Sequence, residues 1–215
     1  MILHRNTGGT MNRHVWSLFL VSILLTIILI PAPGMTQAGP GTSQSTGTIT
    51  ISGVVYDKTV AINGRTCDLI GAGLLRYRVV FKGYVAALYL ERGRTAGDVF
   101  KDITKSLVIE YFHAIDAQAF ISSTRQGFMN NLSREQMEAI DQRAKTLYSL
   151  YRDVKPGDRY SFTYIPGIGS QIALNGKILG TIKGLDFANA MLSIWLGPNP
   201  LDQTLKKALL GLDEG

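Results

Sequence analysis

Arg76 and Tyr84 are the residues whose types and surroundings best suit a polar contact inside an apolar sequence. Arg76 follows a glycine-rich string in an apolar, strand-like run, where an unpaired buried charge would cost several kcal/mol. A bound carboxylate would satisfy its guanidinium through two parallel hydrogen bonds. The alternatives are that Arg76 points to solvent or pairs with Glu110. The Tyr84 phenol could donate to a ligand oxygen, although an aromatic residue in a strand is usually core.

The sequence has no motif of the common catalytic classes. It lacks a P-loop, a G-x-S-x-G string, an H-E-x-x-H string and a complete dinucleotide fingerprint. His113 has no His or Cys at metal-ligand spacing, so we interpret it as a strand-end or surface residue. Cys67, the one cysteine, has no histidine nearby, so we expect a structural role. We therefore predict no catalytic residue, no metal and no cofactor.

Composition predicts one folded domain. The chain of 215 residues is 46% hydrophobic and 18% charged, which is too apolar and too weakly charged for a disordered protein. Its net charge of +6 could suggest an anionic partner, such as a nucleic acid or a lipid surface. The basic residues are scattered, however, and form no run of five. We interpret the net charge as a feature that keeps the protein soluble, and we predict no nucleic-acid partner.

The N-terminus resembles an export signal. Arg5 and Arg13 precede an apolar stretch over residues 15–30, and small residues lead to a cleavage site after Ala38. We predict a signal peptide over residues 1–38, a linker over 39–48 and a domain over 49–215, exported to the periplasm with no membrane span in its mature form. The alternative is an uncleaved membrane anchor, because the apolar stretch is only slightly shorter than the ~20 residues that span a bilayer.

Strand signals flank a central helical region. We predict strands over 49–55, 59–62, 71–81, 84–90, 106–112, 159–165, 170–174 and 177–182. We predict helices over 116–131, 133–151, 185–195 and 201–210. The first two strands are expected to form a hairpin, and Lys82-Gly83 is expected to be the turn between the next two. Antiparallel strands with segregated helices predict an α+β fold.

Four strings resemble one family. Residues 71–76, 84–91, 174–177 and 187–197 are similar in type, order and spacing to the bacterial branch of the chalcone isomerase-like family, and the resemblance covers residues 49–211. It implies an open-faced β-sandwich, in which a large antiparallel sheet packs against a layer of helices with a ligand cleft between them.

The resemblance also implies roles for particular residues. Arg76 and Tyr84 resemble the arginine and tyrosine that hold a carboxylate in the fatty-acid-binding members of the family. The catalytic tyrosine and asparagine of the isomerases fall on Phe120 and Gly127, so the hydroxyl that positions the cyclising ketone is missing.

Three functions follow from these observations. The first is a non-catalytic, exported protein that binds a fatty acid or another apolar carboxylate, with the head on Arg76 and Tyr84 and the tail in the cleft. The second is an intramolecular lyase or isomerase, which needs a hydroxyl donor for a developing enolate. The third is a structural or partner-binding envelope protein that uses residues 195–198 or the exposed helices as a contact surface. The sequence leaves the ligand identity and the oligomeric state open.

Overall fold

The computed structural model describes residues 47–77 and 81–212, apart from the side chains of Tyr77 and Phe81. The predicted signal peptide and residues 39–46 of the predicted linker lie outside this part, so export remains a prediction. Within the described ranges, none of the helices combines the length and apolar character needed to cross a membrane.

The described part contains short strands, two long strands and four α-helices. The strands are β1 (Thr48–Ile51), β2 (Val54–Asp57), β3 (Thr59–Ile62), β4 (Arg65–Tyr77), β5 (Phe81–Glu91), β6 (Lys105–Tyr111), β7 (Arg159–Ile165), β8 (Gly169–Leu174) and β9 (Lys177–Ile182). The helices are α1 (Ala117–Asn131), α2 (Arg134–Leu150), α3 (Leu185–Leu196) and α4 (Gln203–Leu209), with a short 3-10 helix over Ala96–Asp98.

The sheet has a simple antiparallel topology. Strands β3 to β9 form one seven-stranded sheet in sequence order, and β1 pairs only with β2 in a separate ribbon. Helices α1 and α2 are inserted between β6 and β7, whereas α3 and α4 follow β9. The α+β fold predicted from the sequence is therefore confirmed.

The two faces of the sheet are covered differently. Along β5, Tyr84, Ala86, Leu88 and Leu90 pack into the large core shared with the helices. The alternate residues of β5 pack into a smaller core beneath the β1–β2 ribbon. This alternation follows from the two-residue period of a strand. Successive residues of β5 therefore contact the helices and the ribbon alternately.

Polar side chains cap the N-termini of α1 and α2. The Asp116 side chain accepts a hydrogen bond from the Ala119 backbone amide at 2.7 Å. Ser133 and Gln136 form a reciprocal capping box at the start of α2. Such caps satisfy amide groups that have no partner within the helix.

Two turns differ from the prediction. The expected strand over 49–55 is broken at Ser52 and Gly53, whose positive φ angles of 52° and 89° reverse the chain. Consequently β1 pairs with β2, and β3 pairs with β4 instead. Lys82 and Gly83 lie inside β5 and do not form the expected turn. A bulge there places Leu75 opposite Tyr84 and Arg76 opposite Lys82.

Candidate ligand-binding site

A cavity of about 450 Å³ lies between the helix-covered face of the sheet and the helices. This volume is within the range of about 300–1,000 Å³ that small-molecule sites occupy. Most of its wall is aliphatic or aromatic, including Leu75, Leu107, Ile109, Ile115, Leu147, Phe162, Ile172, Met191 and Ile194. The main contribution that such a wall can make to binding is the burial of hydrocarbon.

A cluster of aromatic rings forms one side of the cavity. The Tyr111 ring meets the Tyr84, Phe120 and Tyr160 rings edge-on, with centroid separations of 5.7, 5.3 and 6.3 Å. The Phe120 ring stacks on the Tyr151 ring at 5.5 Å. Edge-on and offset contacts are favourable because the face of an aromatic ring carries partial negative charge and its edge carries partial positive charge. The cluster therefore holds the tyrosine hydroxyl groups in fixed positions.

The hydroxyl groups differ in their partners. Tyr84 accepts a hydrogen bond of 2.8 Å from the Trp195 indole nitrogen. Tyr151 and Thr124 share a hydrogen bond of 2.7 Å. The Tyr111 hydroxyl has no hydrogen-bond partner among the described residues, although the side chain is buried. Tyr84 and Tyr111 can therefore each donate a hydrogen bond to a ligand oxygen.

Burial keeps these phenols neutral. Removal from water raises the pKa of Tyr84 well above its usual range, and the hydrogen bond from Trp195 lowers it only in part. Removal from water also raises the pKa of Tyr111, and the neighbouring tyrosines raise it further. Both side chains are consequently hydrogen-bond donors at any physiological pH.

Charged groups are scarce around the cavity. Among the described residues, no lysine, arginine, aspartate or glutamate lines its wall. His113 does line it, and because His113 is exposed it marks the rim. The described part of the chain also lacks a group of three or more side chains that could hold a metal ion.

The structure brings Tyr84 to the cavity wall but does not bring Arg76 there. Arg76 is exposed, and strand alternation places it on the same face as Leu74, which packs toward the β1–β2 ribbon. Glu110, its alternative partner, instead forms an ion pair with Arg159. The predicted pair of Arg76 and Tyr84 on one carboxylate therefore does not come together around this cavity. The sequence gives the residue type at position 76, but it does not reveal which face of the strand carries the Arg76 side chain.

Phe120 and Gly127 occupy places with clear packing roles. Phe120 lies in the cavity wall within the aromatic cluster and carries no hydroxyl. Gly127 lies where α1 meets α3, and a Cβ atom there would be 2.8 Å from Ile194 Cγ1. An asparagine at this position would have to push the helices apart, because real Cβ contacts are not that short.

Sequence reasoning missed the partners of Tyr84. Tyr111 lies on β6 with Leu107 and Ile109, so alternation within that strand was a signal for its face. Trp195 had been assigned to a contact surface over residues 195–198. The structure corrects this, because the Trp195 indole lines the cavity and Leu196 and Gly197 are buried, which leaves Pro198 as the exposed residue.

An antiparallel sheet with helices on one face and an apolar cavity between them defines an α+β protein with a small-ligand site. The family model described as "Chalcone isomerase-like" matches residues 48–211, so the chain belongs to the chalcone isomerase-like family. The crystal structure of a fatty-acid binding protein from Arabidopsis thaliana has a TM-score of 0.59 and 14% sequence identity, and the match covers 76% of this chain and 96% of that one. This likeness confirms the fold. No curated protein sequence matches the chain.

Proposed function

We propose that the protein binds one amphiphilic molecule with a long apolar part, such as a fatty acid, without changing it chemically. The observation that carries this proposal is the cavity of about 450 Å³ with its hydrocarbon wall. Family membership and the name of the Arabidopsis protein support the same class of ligand. Each buried methylene of such a ligand contributes about 0.8 kcal/mol, so chain burial supplies most of the affinity.

Tyr84 and Tyr111 supply the polar contacts inside the cavity. Both hydroxyls are neutral donors, and neither proton is used by another described residue. A ligand oxygen between them would gain two hydrogen bonds within a surrounding of low dielectric constant. These contacts orient the ligand, while the hydrocarbon wall retains it.

We propose binding without catalysis because of Phe120 and Gly127. A lyase of the chalcone isomerase type needs an oriented hydroxyl for the developing enolate, and one such donor is commonly worth ~10²–10³ in rate. Phe120 cannot supply it at the place that the resemblance assigns to the isomerase tyrosine, and Tyr84 and Tyr111 lie on the sheet instead of on α1. At Gly127, any side chain would have its Cβ atom 2.8 Å from Ile194 Cγ1. Cyclisation of a chalcone by the purified protein should therefore proceed at the uncatalysed rate.

Export is part of the same proposal. Residues 1–38 contain basic residues, then an apolar stretch and then small residues, and this order supports cleavage after Ala38 and a periplasmic location. The test is to express the full chain in a bacterium, recover the form that the cell produces and determine its N-terminal sequence. A start at Gly39 supports the proposal, whereas a membrane-embedded full-length chain supports an anchor.

The binding proposal is tested by native mass spectrometry of the protein recovered from the cell envelope. We expect an adduct with the mass of one amphiphile, which organic extraction releases and which can then be identified. Protein that carries no adduct and takes up no amphiphile on incubation would contradict the proposal. It would favour the partner-binding alternative.

A further inference from the structure

A groove of about 330 Å³ adjoins the cavity at the gap between α1 and the segment after α3. Ser123, Ile194 and Leu201 line both the groove and the cavity. The cavity and the groove are therefore adjacent and meet at these three residues. Leu201 is 55% exposed, which is unusual for a large apolar side chain but suits contact with a hydrocarbon at this gap.

The groove is polar but uncharged. Its wall includes the side chains of Ser122, Gln126, Asn130 and Asn199, and no charged residue of the described chain lines it. Of the fifteen residues of α1, only Arg125 is charged, and its guanidinium lies 5.7 Å from the Tyr148 ring. In contrast, α2 carries six charged residues in seventeen, namely Arg134, Glu135, Glu138, Asp141, Arg143 and Lys145. Depletion of charge on an exposed helix is typical of a contact surface.

Amide hydrogen bonds hold the two sides of the groove together. Asn131 Nδ2 donates to the Asn199 carbonyl at 2.9 Å, and the Asn199 backbone amide donates to Asn131 Oδ1 at 2.9 Å. Asn199 Nδ2 donates to the Asn130 carbonyl at 2.8 Å. These bonds fix the segment after α3 against the end of α1. The groove is therefore a preorganised surface.

The groove retains unused donors and acceptors. Gln126 Nε2 donates to Asn130 Oδ1 at 2.8 Å. Both side chains are exposed, and their other polar atoms, Gln126 Oε1 and Asn130 Nδ2, have no protein partner among the described residues, so they can exchange water for a ligand. One is an acceptor and the other is a donor, which matches a hydroxyl or an amide group. A carboxylate offers acceptors only and would find no cation among the described residues that line the groove.

We infer that the ligand is an amphiphile whose hydrocarbon part lies in the cavity, with the oxygen next to the hydrocarbon on Tyr84 and Tyr111, and whose uncharged head group, with hydroxyl or amide groups, lies in the groove. This inference rests on the proposed function and makes it more specific. An uncharged head group takes the place of the free carboxylate that the sequence predicted on Arg76.

The test is isothermal titration at pH 8 with 1-monododecanoylglycerol and dodecanoate, which share an acyl chain and differ in the head. We expect the glycerol ester to bind at least about ten-fold more tightly, because it gains two neutral hydrogen bonds and a carboxylate finds no cation among the described residues that line the groove. Gln126→Leu should reduce this preference to about three-fold or less. Gln142→Leu, a matched change on the exposed face of α2, should leave the preference unchanged.

Four outcomes would decide against the inference or against its foundation. Dodecanoate that binds as tightly as the ester would overturn the inference, as would a preference that Gln126→Leu leaves intact. Loss of dodecanoate binding in Arg76→Ala or in Arg78→Ala, a residue outside the described ranges, would show a cationic head-group site. Failure of wild-type protein to bind either compound would contradict the proposed function itself, which distinguishes the two failures.

Discussion

The Trp195 indole donates a hydrogen bond of 2.8 Å to the Tyr84 hydroxyl, joining α3 to β5 across 111 positions of sequence. The bond fixes the position of the Tyr84 oxygen in the cavity wall. It also leaves the Tyr84 proton available to a ligand. The Tyr84 hydroxyl therefore stabilises the fold by accepting a hydrogen bond from Trp195, and it can bind a ligand by donating one.

Tyr84→Phe and Tyr111→Phe should differ in their effect on stability. Loss of the Tyr84 oxygen leaves the Trp195 N–H without its acceptor, so we expect a cost of about 1 kcal/mol. Tyr111→Phe removes a hydroxyl that has no described partner, so the free energy of unfolding should change by less than about 0.5 kcal/mol. Urea denaturation of both variants checks this. Equal losses would mean that the hydrogen bond to Trp195 contributes nothing.

Gly127→Ala should destabilise the fold. The added Cβ atom would lie 2.8 and 2.9 Å from two Ile194 carbons, and overpacking of this kind costs about 1–3 kcal/mol. Gly97→Ala is the control, because its nearest neighbour would be 3.7 Å away. If the contact is the cause, the combination with Ile194→Ala should cost less than the sum of the single changes. Additive costs would show that the contact between position 127 of α1 and Ile194 of α3 does not cause the loss of stability.

Lys105 should make stability depend on pH. Its side chain is 1% exposed and donates to the Val99 and Lys101 carbonyls at 2.8 and 2.7 Å. Burial lowers the pKa of Lys105 to about 8, although the charge of Asp102 raises it in part. In the unfolded chain a lysine keeps a pKa of about 10.4, so between about pH 8 and pH 10 the unfolded state binds more protons.

The free energy of unfolding should therefore rise with pH across that window. We expect a gain of about 2 kcal/mol relative to Lys105→Met, which lacks the titrating group, because one proton contributes at most about 1.4 kcal/mol per pH unit. Lys101→Met removes a lysine whose side chain is 67% exposed and should preserve the gain. Denaturation at pH 7.5 and pH 10 measures it. Parallel pH profiles for wild type and Lys105→Met would contradict the prediction.

Affinity should depend on ligand chain length and then level off. Each methylene that enters the cavity adds about 0.8 kcal/mol, or about four-fold in affinity, until the cavity is full. A series of saturated 1-monoacylglycerols from eight to sixteen carbons, titrated into wild type, should show this rise and plateau. Affinity that does not change along the series would mean that hydrocarbon burial is not the source of binding.

Local patterns predicted most of the elements. The helices that begin near Asp116 and Ser133 and the strands β6 to β9 were predicted because their signals depend on neighbours within a few residues. The break at Ser52 and Gly53 was missed because both residues stand inside an apolar run that is typical of one strand, and their positive φ angles separate β1 from β2. Gly53 adopts this conformation readily, but a serine rarely does.

The candidate site was less predictable than the fold. Tyr84 was found by its type and by family resemblance, but its partner Trp195 is distant in sequence and on another element. Arg76 lies away from the cavity because one residue along a strand reverses the face, and the bulge at Gly83 determines which residues lie opposite one another. The groove depends on the contact between α1 and the segment after α3, which tertiary packing alone determines.

The central claim is that an amphiphile binds in the cavity, and a pair of tryptophan substitutions tests it most directly. Ala119 lines the cavity at an exposed position of α1, so Ala119→Trp should fill the space without displacing the core. Ala139 is exposed on α2 and does not line the cavity, so Ala139→Trp is the matched control. In titration calorimetry with 1-monododecanoylglycerol, we expect Ala119→Trp to weaken binding at least about ten-fold and Ala139→Trp to leave it unchanged. Equal affinities for both variants and wild type would place binding elsewhere and contradict the account.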